Sequence, residues 1–472
     1  MEVSCSRVLV AVLAVALTCG SACAESAAEK AARMKWWSDA RFGMFIHFGL
    51  YAMPAKGEWI RQRQRIPAEP YDAKYFSRFN PDLFDARQWA RCAKAAGMRY
   101  MVLTTKHHEG FCLWDSALTD YKITKTPFGR DLVREYVDAC RAEGLHVGIY
   151  YSLIDWHHPD FTIDSDHPLF PHELASKRFD TGYVEPLPGL DERLAEMNKG
   201  RDFNRYREYM FGQIRELLTG YGKIDIIFYD FTYGRTKYGK SADDWHSRDI
   251  LEMTRRLQPG IIVNDRLGLN DEGGFDIKTP EQIVVPKCVE VDGREVFWET
   301  CQTFSGAWGY ERDESTWKSP TQLLMLLVDT VSKKGNLLLN VGPTGRGEFD
   351  FRAQDRLGAM GAWMRVNGRS IYGCTAAPEC FKVPEGTKLT YNPEAGRLYV
   401  HIFEYPIKVL PIAFADRVEY AQFLHDGSEL EISVPRSVSG EPRKDLPASL
   451  HLPVIKPAVD VPVVEMFLKP QR

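Results

Sequence analysis

Carboxylic acids that follow short apolar segments are the residues of this 472-residue chain with the clearest chemical potential. Asp230 follows the largely apolar segment 224–229. A glycosidase nucleophile has to stay ionised and fixed beneath the anomeric carbon, and the end of a rigid strand provides such a position. An Asp at this place also caps turns. Position alone therefore leaves both interpretations of Asp230 open.

A retaining glycosidase needs a second carboxyl group, which protonates the leaving oxygen. The candidates are Glu281, in the sequence Lys-Thr-Pro-Glu, and Glu299, in the sequence Phe-Trp-Glu-Thr. Glu281 also suits the first turn of a helix, where Pro and Glu are favoured. Glu299 also suits a sugar-hydroxyl acceptor or an ion pair. The sequence does not give the distance that would separate these alternatives.

Three histidines near predicted strand ends, His47, His107 and His108, are candidates for hydrogen bonds to sugar hydroxyls, because a neutral imidazole offers a donor and an acceptor. Metal binding is the alternative. Adjacent histidines at a strand end are expected to point to opposite sides, and the chain has no H-E-x-x-H helix, so we expect no metal. Arg266 follows another predicted strand and is expected to bind a hydroxyl or orient a carboxylate. The candidate aromatic walls, each also suited to core packing, are Trp59, Trp114, Tyr150 and Trp298.

Short apolar strands alternate with amphipathic helices between residues 42 and 366, which is the pattern of a parallel sheet covered by helices. Polar residues stand at the C-terminal end of strand after strand; the predicted strand 296–299, for example, ends in Glu299. A doubly wound sheet concentrates such residues at one switch point, whereas a β/α barrel builds its site from all its C-terminal loops. The sequence therefore predicts an α/β fold with a (β/α)8-like barrel over residues 25–370. No G-x-G-x-x-G follows a strand, so no dinucleotide cofactor is expected.

The pattern changes after residue 370, and the segment 371–472 is predicted to form a C-terminal antiparallel β-sandwich domain. Segments 418–424 and 429–434 flank a turn at 425–428 and are predicted to pair as a hairpin. The cysteines are irregularly spaced, which argues against a disulfide framework, although Cys374 and Cys380 are near enough in sequence to pair.

Bulk properties exclude some classes of partner and predict export. The net charge of -4 gives no basic footprint for nucleic acid. No segment of the mature chain reaches the ~18 consecutive apolar residues of a membrane helix. Residues 1–24 are predicted to be a signal peptide, with an apolar run at 8–17 and the cleavage sequence Ala-Cys-Ala at 22–24. We expect a secreted or periplasmic protein; lipid attachment at Cys23 is the less favoured alternative, because Gly20 stands where an apolar residue is expected.

Several segments together resemble the α-L-fucosidases of glycoside hydrolase family twenty-nine. The most specific of them is Lys-His-His-Glu-Gly-Phe-Cys-Leu-Trp at 106–114. The segments that carry the resemblance are 41–49, 57–59, 105–114, 148–152, 264–266, 298–301, 308–310 and 337–343.

The resemblance implies a retaining exo-α-L-fucosidase that acts on fucosylated oligosaccharides or glycoconjugates without a metal or cofactor. It assigns the nucleophile to Asp230 and favours Glu281 as acid/base, with Glu299 as the alternative. The sugar contacts that the resemblance implies are His47, Glu58, Trp59, His107, His108, Tyr150 and Arg266. The neighbouring residues Phe228, Trp298 and Glu299 are added to them as further candidate contacts.

Two departures from the family pattern bear on the sugar. The first departure is Phe48, which stands where the family usually has Trp. The second is the pair directly before the nucleophile, Phe228 and Tyr229, which differs from the residues that the family often has there. A retaining enzyme for a related sugar such as a galactoside is therefore one alternative. A carbohydrate-binding protein on an inactive barrel and a metal-dependent hydrolase of the same fold are the others. The sequence leaves the oligomeric state open.

Overall fold

The computed structural model describes residues 25–178, 183–232, 237–441, 443 and 446–470. The predicted signal peptide 1–24, with Cys23, lies outside the described residues. No helix of the described residues combines the length and the apolar composition that a membrane span requires.

Seven parallel strands form one curled sheet, as the sequence predicts. Their side chains are almost all buried on both faces, which is typical of a parallel sheet covered by helices. In spatial order the strands are Glu299–Thr303, Asn336–Val341, Phe42–Ile46, Tyr100–Lys106, His146–Ser152, Ile226–Asp230 and Ile262–Val263.

The segment 277–281 closes this sheet into a barrel by filling the gap between its two edge strands. On one side, Ile277 pairs in parallel with Asn264, directly after the strand Ile262–Val263. On the other side, Lys278 pairs with Trp298, and Glu281 pairs with Cys301. The segment therefore takes the place of an eighth strand, although it makes only single backbone pairings.

The inner faces of the strands meet in an apolar cluster that the N-terminal helix Ala27–Ala40 closes at one end. Met34, Trp37 and Ala40 of this helix pack against inward side chains such as Tyr100 and Leu338. Tyr100 is the first residue of its strand. The helix therefore plugs the amino-terminal end of the barrel.

Within the described part of the chain, six helices cover the outside of the barrel. Five begin at an Asp or Ser whose side chain accepts a backbone N–H of the first turn. Residues 242–257 form two helices rather than one, because His246 between them adopts a left-handed backbone conformation with φ 56°. The covering helices are Ala86–Ala95, Leu132–Glu143, Phe203–Gly220, Ser247–Leu257, Pro320–Val331 and Phe351–Asn367. The further short helices are Ile60–Arg63, Ala68–Tyr75, Leu190–Met197 and Ala242–Trp245.

The C-terminal part is a β-sandwich of a five-stranded and a three-stranded antiparallel sheet, which confirms the predicted fold class. Side chains of both sheets, among them Val400, Met466, Ile412 and Leu450, share one core. The larger sheet has the order Thr375–Ala376, Thr387–Asn392, Arg397–Ile402, Val463–Leu468 and Val418–Phe423, and the smaller sheet has the order Val409–Ile412, Ala448–His451 and Ile432–Ser433. Two small hairpins stand apart from these sheets, Ala175–Arg178 with Tyr183–Pro186 and Glu290–Val291 with Arg294–Glu295.

The predicted hairpin is confirmed only around its turn, where Gln422 pairs antiparallel with Glu429 and the N–H of Phe423 donates to the Ser428 carbonyl at 2.9 Å. Beyond these residues the prediction is wrong, because the strand Val418–Phe423 pairs with Val463–Leu468. The chain after the turn crosses to the other sheet, where Ile432–Ser433 pairs with Ala448–His451. Cys374 is buried and Cys380 is exposed, and both are free thiols.

Candidate active site

A narrow pocket opens at the carboxyl ends of the barrel strands, where most of the predicted site residues converge. The strand that ends in Asp230 and the segment that carries Glu281 both reach it. Thirteen residues line it: Phe45, His47, Trp59, His107, His108, Tyr150, Phe228, Asp230, Phe231, Arg266, Glu281, Cys301 and Trp308.

Three donors hold the Asp230 carboxylate in place. Its Oδ2 accepts a hydrogen bond from the Tyr150 hydroxyl at 2.8 Å. Its Oδ1 accepts one from Nη1 of Arg266 and one from the backbone N–H of Phe231, both at 2.9 Å. Burial raises the pKa of Asp230, the positive charge of Arg266 lowers it, and the negative charge of Glu281 raises it further.

One guanidinium joins the two candidate carboxylates. Nη1 of Arg266 lies 2.9 Å from Asp230, and its Nη2 lies 2.8 Å from Oε2 of Glu281. Thr279 fixes the same guanidinium by accepting from Nε and Nη2 at 3.2 Å each. Burial opposes the charge of Arg266, but the two carboxylates raise its pKa well above the ordinary value.

The two carboxylates differ in their access to solvent. The Asp230 side chain is 14% exposed, whereas that of Glu281 is 41% exposed. Asp230 therefore lies inside the pocket and Glu281 at its open side, where a leaving group would depart.

The three histidines lie together on one wall of the pocket and are neutral. Nδ1 of His47 bonds Oδ1 of Asn340 at 2.6 Å, and Nδ1 of His108 bonds the Ser152 hydroxyl at 2.8 Å. Nδ1 of His107 is buried and has no hydrogen-bond partner among the described residues. Burial lowers the pKa of His47 to about 3 and lowers the pKa values of His107 and His108 well below the ordinary value.

The prediction that His107 and His108 point to opposite sides is wrong, because their rings lie 3.8 Å apart and both line the pocket. The strand ends before them, at Lys106, after a shift in its pairing register. A turn follows, in which the N–H of Gly110 donates to the His107 carbonyl at 3.0 Å. The alternation of a strand therefore does not apply to this pair.

Aromatic side chains form the remaining walls. The Trp59 ring lies 5.0 Å from the His108 ring and 5.6 Å from the Phe231 ring, and Phe228 lies beneath the Arg266 guanidinium at 5.5 Å. The sequence did not single out four pocket residues as sugar contacts, namely Phe45, Phe231, Cys301 and Trp308. Phe45 was recognisable, because it lies two positions before His47, near the end of the strand Phe42–Ile46 that leads to this histidine, and so faces the same side.

Glu299 and Trp298 are not part of the pocket. Glu299 begins the strand Glu299–Thr303, and it pairs with Asn336, the first residue of the next strand. Its buried carboxyl accepts from the Tyr100 hydroxyl at the amino-terminal end of the barrel, and burial raises its pKa to about 8. Trp298 Nε1 donates to the Lys333 carbonyl at 3.0 Å. The predicted strand 296–299 therefore ended where the actual strand begins, and the predicted sugar contacts of both residues are wrong.

Two further predicted aromatic positions lie in the core. The Phe48 ring packs 5.6 Å from Phe79 and 5.7 Å from Trp89, outside the pocket. The departure at Phe48 therefore does not change the lining of the pocket. Trp114 is buried, and its indole N–H donates to Glu216 at 2.9 Å.

Glu58 lies behind the pocket wall rather than on it. Its Oε2 accepts from the backbone N–H groups of Trp308 at 3.1 Å and of Gly309 at 2.7 Å. Burial raises its pKa. Its contacts hold the backbone that carries Trp308.

Fold and site together define the class of the protein. Two carboxylates on one arginine, neutral imidazoles and aromatic walls at the carboxyl end of a β/α barrel are the parts of a glycoside hydrolase site. The family model of α-L-fucosidases matches residues 18–369. The chain belongs to the α-L-fucosidase family.

Solved and curated relatives agree with this assignment. α-L-Fucosidase isoenzyme 1 from Paenibacillus thiaminolyticus is 43% identical with a TM-score of 0.82, over 93% of this chain and 100% of that one. A family twenty-nine α-L-fucosidase from Bacteroides thetaiotaomicron, trapped as a covalent intermediate with 2-fluoro-fucosyl fluoride, is 27% identical with a TM-score of 0.75, over 93% and 96%. The α-L-fucosidase of Dictyostelium discoideum is 29% identical over 92% of this chain and 91% of its own.

Proposed function

We propose that this protein is a retaining exo-α-L-fucosidase that releases terminal α-L-fucosyl residues from oligosaccharides or glycoconjugates. The observation that carries the proposal is the Arg266 guanidinium, which bonds Asp230 inside the pocket and Glu281 at its open side. A retaining mechanism needs two carboxyl groups close together with different roles. The names of the relatives supply the sugar, and the trapped intermediate of the Bacteroides enzyme supports a covalent mechanism.

The mechanism has two steps. In the first, an Asp230 oxygen bonds to the anomeric carbon, the bond from that carbon to the leaving oxygen breaks, and Glu281 gives its proton to the leaving oxygen. In the second, Glu281 takes a proton from water, the water oxygen bonds to the anomeric carbon, and the ester to Asp230 breaks.

The other pocket residues bind and orient the sugar. The neutral imidazoles of His47, His107 and His108 offer donors and acceptors to its hydroxyls. Phe228 and Trp59 offer apolar faces to its C–H groups and methyl group. No residue of this set requires a metal or cofactor.

Replacing Asp230 by Ala should abolish turnover of 4-nitrophenyl α-L-fucoside, because no carboxylate remains to attack the anomeric carbon. Sodium azide should restore turnover and yield the β-L-fucosyl azide, since azide then enters from the face that Asp230 occupied. The measurement is nitrophenol release together with NMR of the product, with 4-nitrophenyl galactosides assayed in parallel. A wild-type protein that cleaves only a galactoside, or an active Asp230→Ala variant, would contradict the proposal.

Replacing Glu281 by Gln should lower kcat/KM by about 10²- to 10⁴-fold on fucosides with poor leaving groups, because the proton donor is lost. A 2,4-dinitrophenyl leaving group departs without protonation, so on that substrate the first step should be little affected. Glu299→Gln is the matched control and should keep wild-type activity, since Glu299 lies at the other end of the barrel. If Glu299→Gln shows the leaving-group dependence and Glu281→Gln does not, the assignment of the two residues is reversed.

We also propose that the chain is exported and that residues 1–24 are removed. The support is the apolar run and the Ala-Cys-Ala sequence of the first 24 residues. Mass spectrometry of the protein from its own cells should find a mature chain that begins near Glu25 and carries no lipid. A cytoplasmic protein that retains its first residues would refute this proposal.

A further inference from the structure

A buried arginine behind the pocket bonds the backbone of three different loops. Arg61 follows Trp59 by two residues and is 1% exposed. Its Nε donates to the Ile66 carbonyl at 3.2 Å, its Nη1 to the Glu109 carbonyl at 3.4 Å, and its Nη2 to the Trp156 carbonyl at 2.8 Å. One guanidinium therefore ties the loops that follow three different elements.

A buried carboxylate beside it joins a fourth loop to this set. Glu109 follows His108 directly and is 1% exposed. Its Oε1 accepts from the backbone N–H of Leu50 at 2.8 Å, and its Oε2 accepts from the Tyr71 hydroxyl at 2.7 Å. Leu50 lies three residues after His47, so Glu109 links the two loops that carry the pocket histidines.

Backbone contacts make the same assembly rigid. The N–H of Trp156 donates to the His108 carbonyl at 2.8 Å, and the Trp156 ring lies 5.3 Å from the Trp59 ring. Neither Arg61 nor Glu109 lines the pocket. Buried ionisable groups are expensive to keep, and in some proteins they are retained because they specify a single geometry.

We propose that Arg61 and Glu109 form a loop clasp, a pair of positioning residues that fixes the pocket histidines and Trp59 for the sugar. The inference rests on the proposed fucosidase function and deepens it. The clasp holds the wall of the pocket that the histidines and Trp59 form. Arg266 holds the two reacting carboxylates, and neither Arg266 nor these carboxylates belong to the loops of the clasp. Loss of the clasp should therefore weaken sugar binding more than it slows the chemical steps.

The test measures the inhibition constant of L-fucose, together with kcat on 4-nitrophenyl α-L-fucoside, in purified full-length variants. Arg61→Met and Glu109→Leu remove the polar contacts of the clasp at similar side-chain volume. Displaced histidines lose hydrogen bonds to the sugar, whereas Asp230 and Glu281 keep their contacts with Arg266. We therefore expect L-fucose to bind about ten- to a hundredfold more weakly, with kcat changed about threefold or less. Glu109→Gln should rescue binding, because its amide oxygen can accept from Leu50 and its NH₂ group can donate to Tyr71.

Arg41→Met is the matched control. Arg41 is also buried and donates to two carbonyls, those of Cys374 and Lys334, at 2.7 Å each. These contacts lie at the amino-terminal end of the barrel, away from the pocket, so the variant should lose stability but keep its L-fucose affinity. If Arg61→Met does not fold, Glu109→Leu against Glu109→Gln decides the question.

Three results overturn the clasp: unchanged L-fucose affinity in Glu109→Leu, equal loss of affinity in Arg41→Met, or no rescue by Glu109→Gln. A wild-type protein that does not cleave the fucoside overturns the proposed function instead. Because every variant is compared with the wild type under the same conditions, the two failures are distinguishable.

Discussion

Individual residues of the pocket owe their charge state to burial. A histidine in an unfolded chain has a pKa of about 6.5, whereas burial lowers that of His47 to about 3. Below pH 6.5 the unfolded chain therefore binds protons that the folded chain excludes, and stability falls as the pH drops toward 3. Each such imidazole lowers the free energy of unfolding by up to about 1.4 kcal/mol per pH unit.

We expect the free energy of unfolding to fall between pH 7 and pH 5, and to fall less steeply in His47→Gln. Between pH 7 and pH 5, the decrease in the free energy of unfolding should be about 1–2 kcal/mol smaller in the variant, because the variant has lost one of these imidazoles. Urea denaturation at pH 7, 6 and 5 measures it. Parallel pH dependence in both proteins would mean that His47 takes up its proton in the folded state.

The residues that the sequence located best are those with a strong local signal. Asp230 ends a strand of apolar residues, and the paired histidines stand in a specific string, so their position at the barrel mouth followed from their neighbours. Glu299 was misplaced because strand boundaries depend on pairing partners that are distant in sequence, here Asn336. The hydrogen bonds of Arg61 were beyond prediction, since its partners are backbone carbonyls up to 95 residues away.

Among the elements, the segment that carries Glu281 depends on one buried ion cluster. Asp276 lies just before this segment; Arg33 and Arg255 lie 2.7 and 2.6 Å from its carboxylate, and the N–H of Val263 donates to it at 2.9 Å. The two arginines belong to the N-terminal helix and to the helix Ser247–Leu257. The cluster therefore anchors the eighth strand position to two helices.

Asp276→Asn should lower the free energy of unfolding by about 1.5–3 kcal/mol, because Arg255 loses its counter-charge, whereas Arg33 keeps its ion pair with Glu25. Asp271→Asn is the control. The ion pair of Asp271 with Arg248 is exposed, so the loss should stay below about 1 kcal/mol. Chemical denaturation at pH 7 measures the free energy of unfolding of the two variants. Equal losses would show that the buried cluster stabilises the fold no more than the exposed ion pair does.

The same segment marks how far the elements could be predicted. Apart from Glu299–Thr303, the other barrel strands contain apolar residues in succession, which is the signal that predicts a buried strand. Residues 277–281 contain Lys, Thr, Pro and Glu and make only single pairings, so their sequence suggested the start of a helix instead. Its place as the closing segment of the barrel depends on pairings with residues on either side, Asn264, Trp298 and Cys301, which its own sequence does not reveal.

At the scale of the whole molecule, the sandwich packs against the helices that cover the barrel. Trp363 of a covering helix donates to the Val461 carbonyl at 3.2 Å, and Lys388 lies 2.7 Å from Asp329. Val463 and Tyr399 of the sandwich belong to the same apolar cluster as the covering helices.

A chain that ends at residue 370 should therefore melt at a lower temperature and aggregate. Exposing one buried apolar side chain of the barrel, such as Trp363, costs on the order of 1.5–3 kcal/mol. Circular dichroism and gel filtration of the shortened chain measure this, and full activity with an unchanged melting temperature would contradict it.

The N-terminal helix closes one end of the barrel, so only the opposite end carries the pocket among the described residues. Met34, Trp37 and Ala40 seal one end of the barrel, and the pocket opens at the other. A molecule tethered to a bead through its amino terminus would therefore turn its pocket away from the support. In that orientation the support does not obstruct a bulky glycoprotein more than a small aryl glycoside. Immobilisation by this end should therefore preserve the ratio of the two hydrolysis rates found in solution.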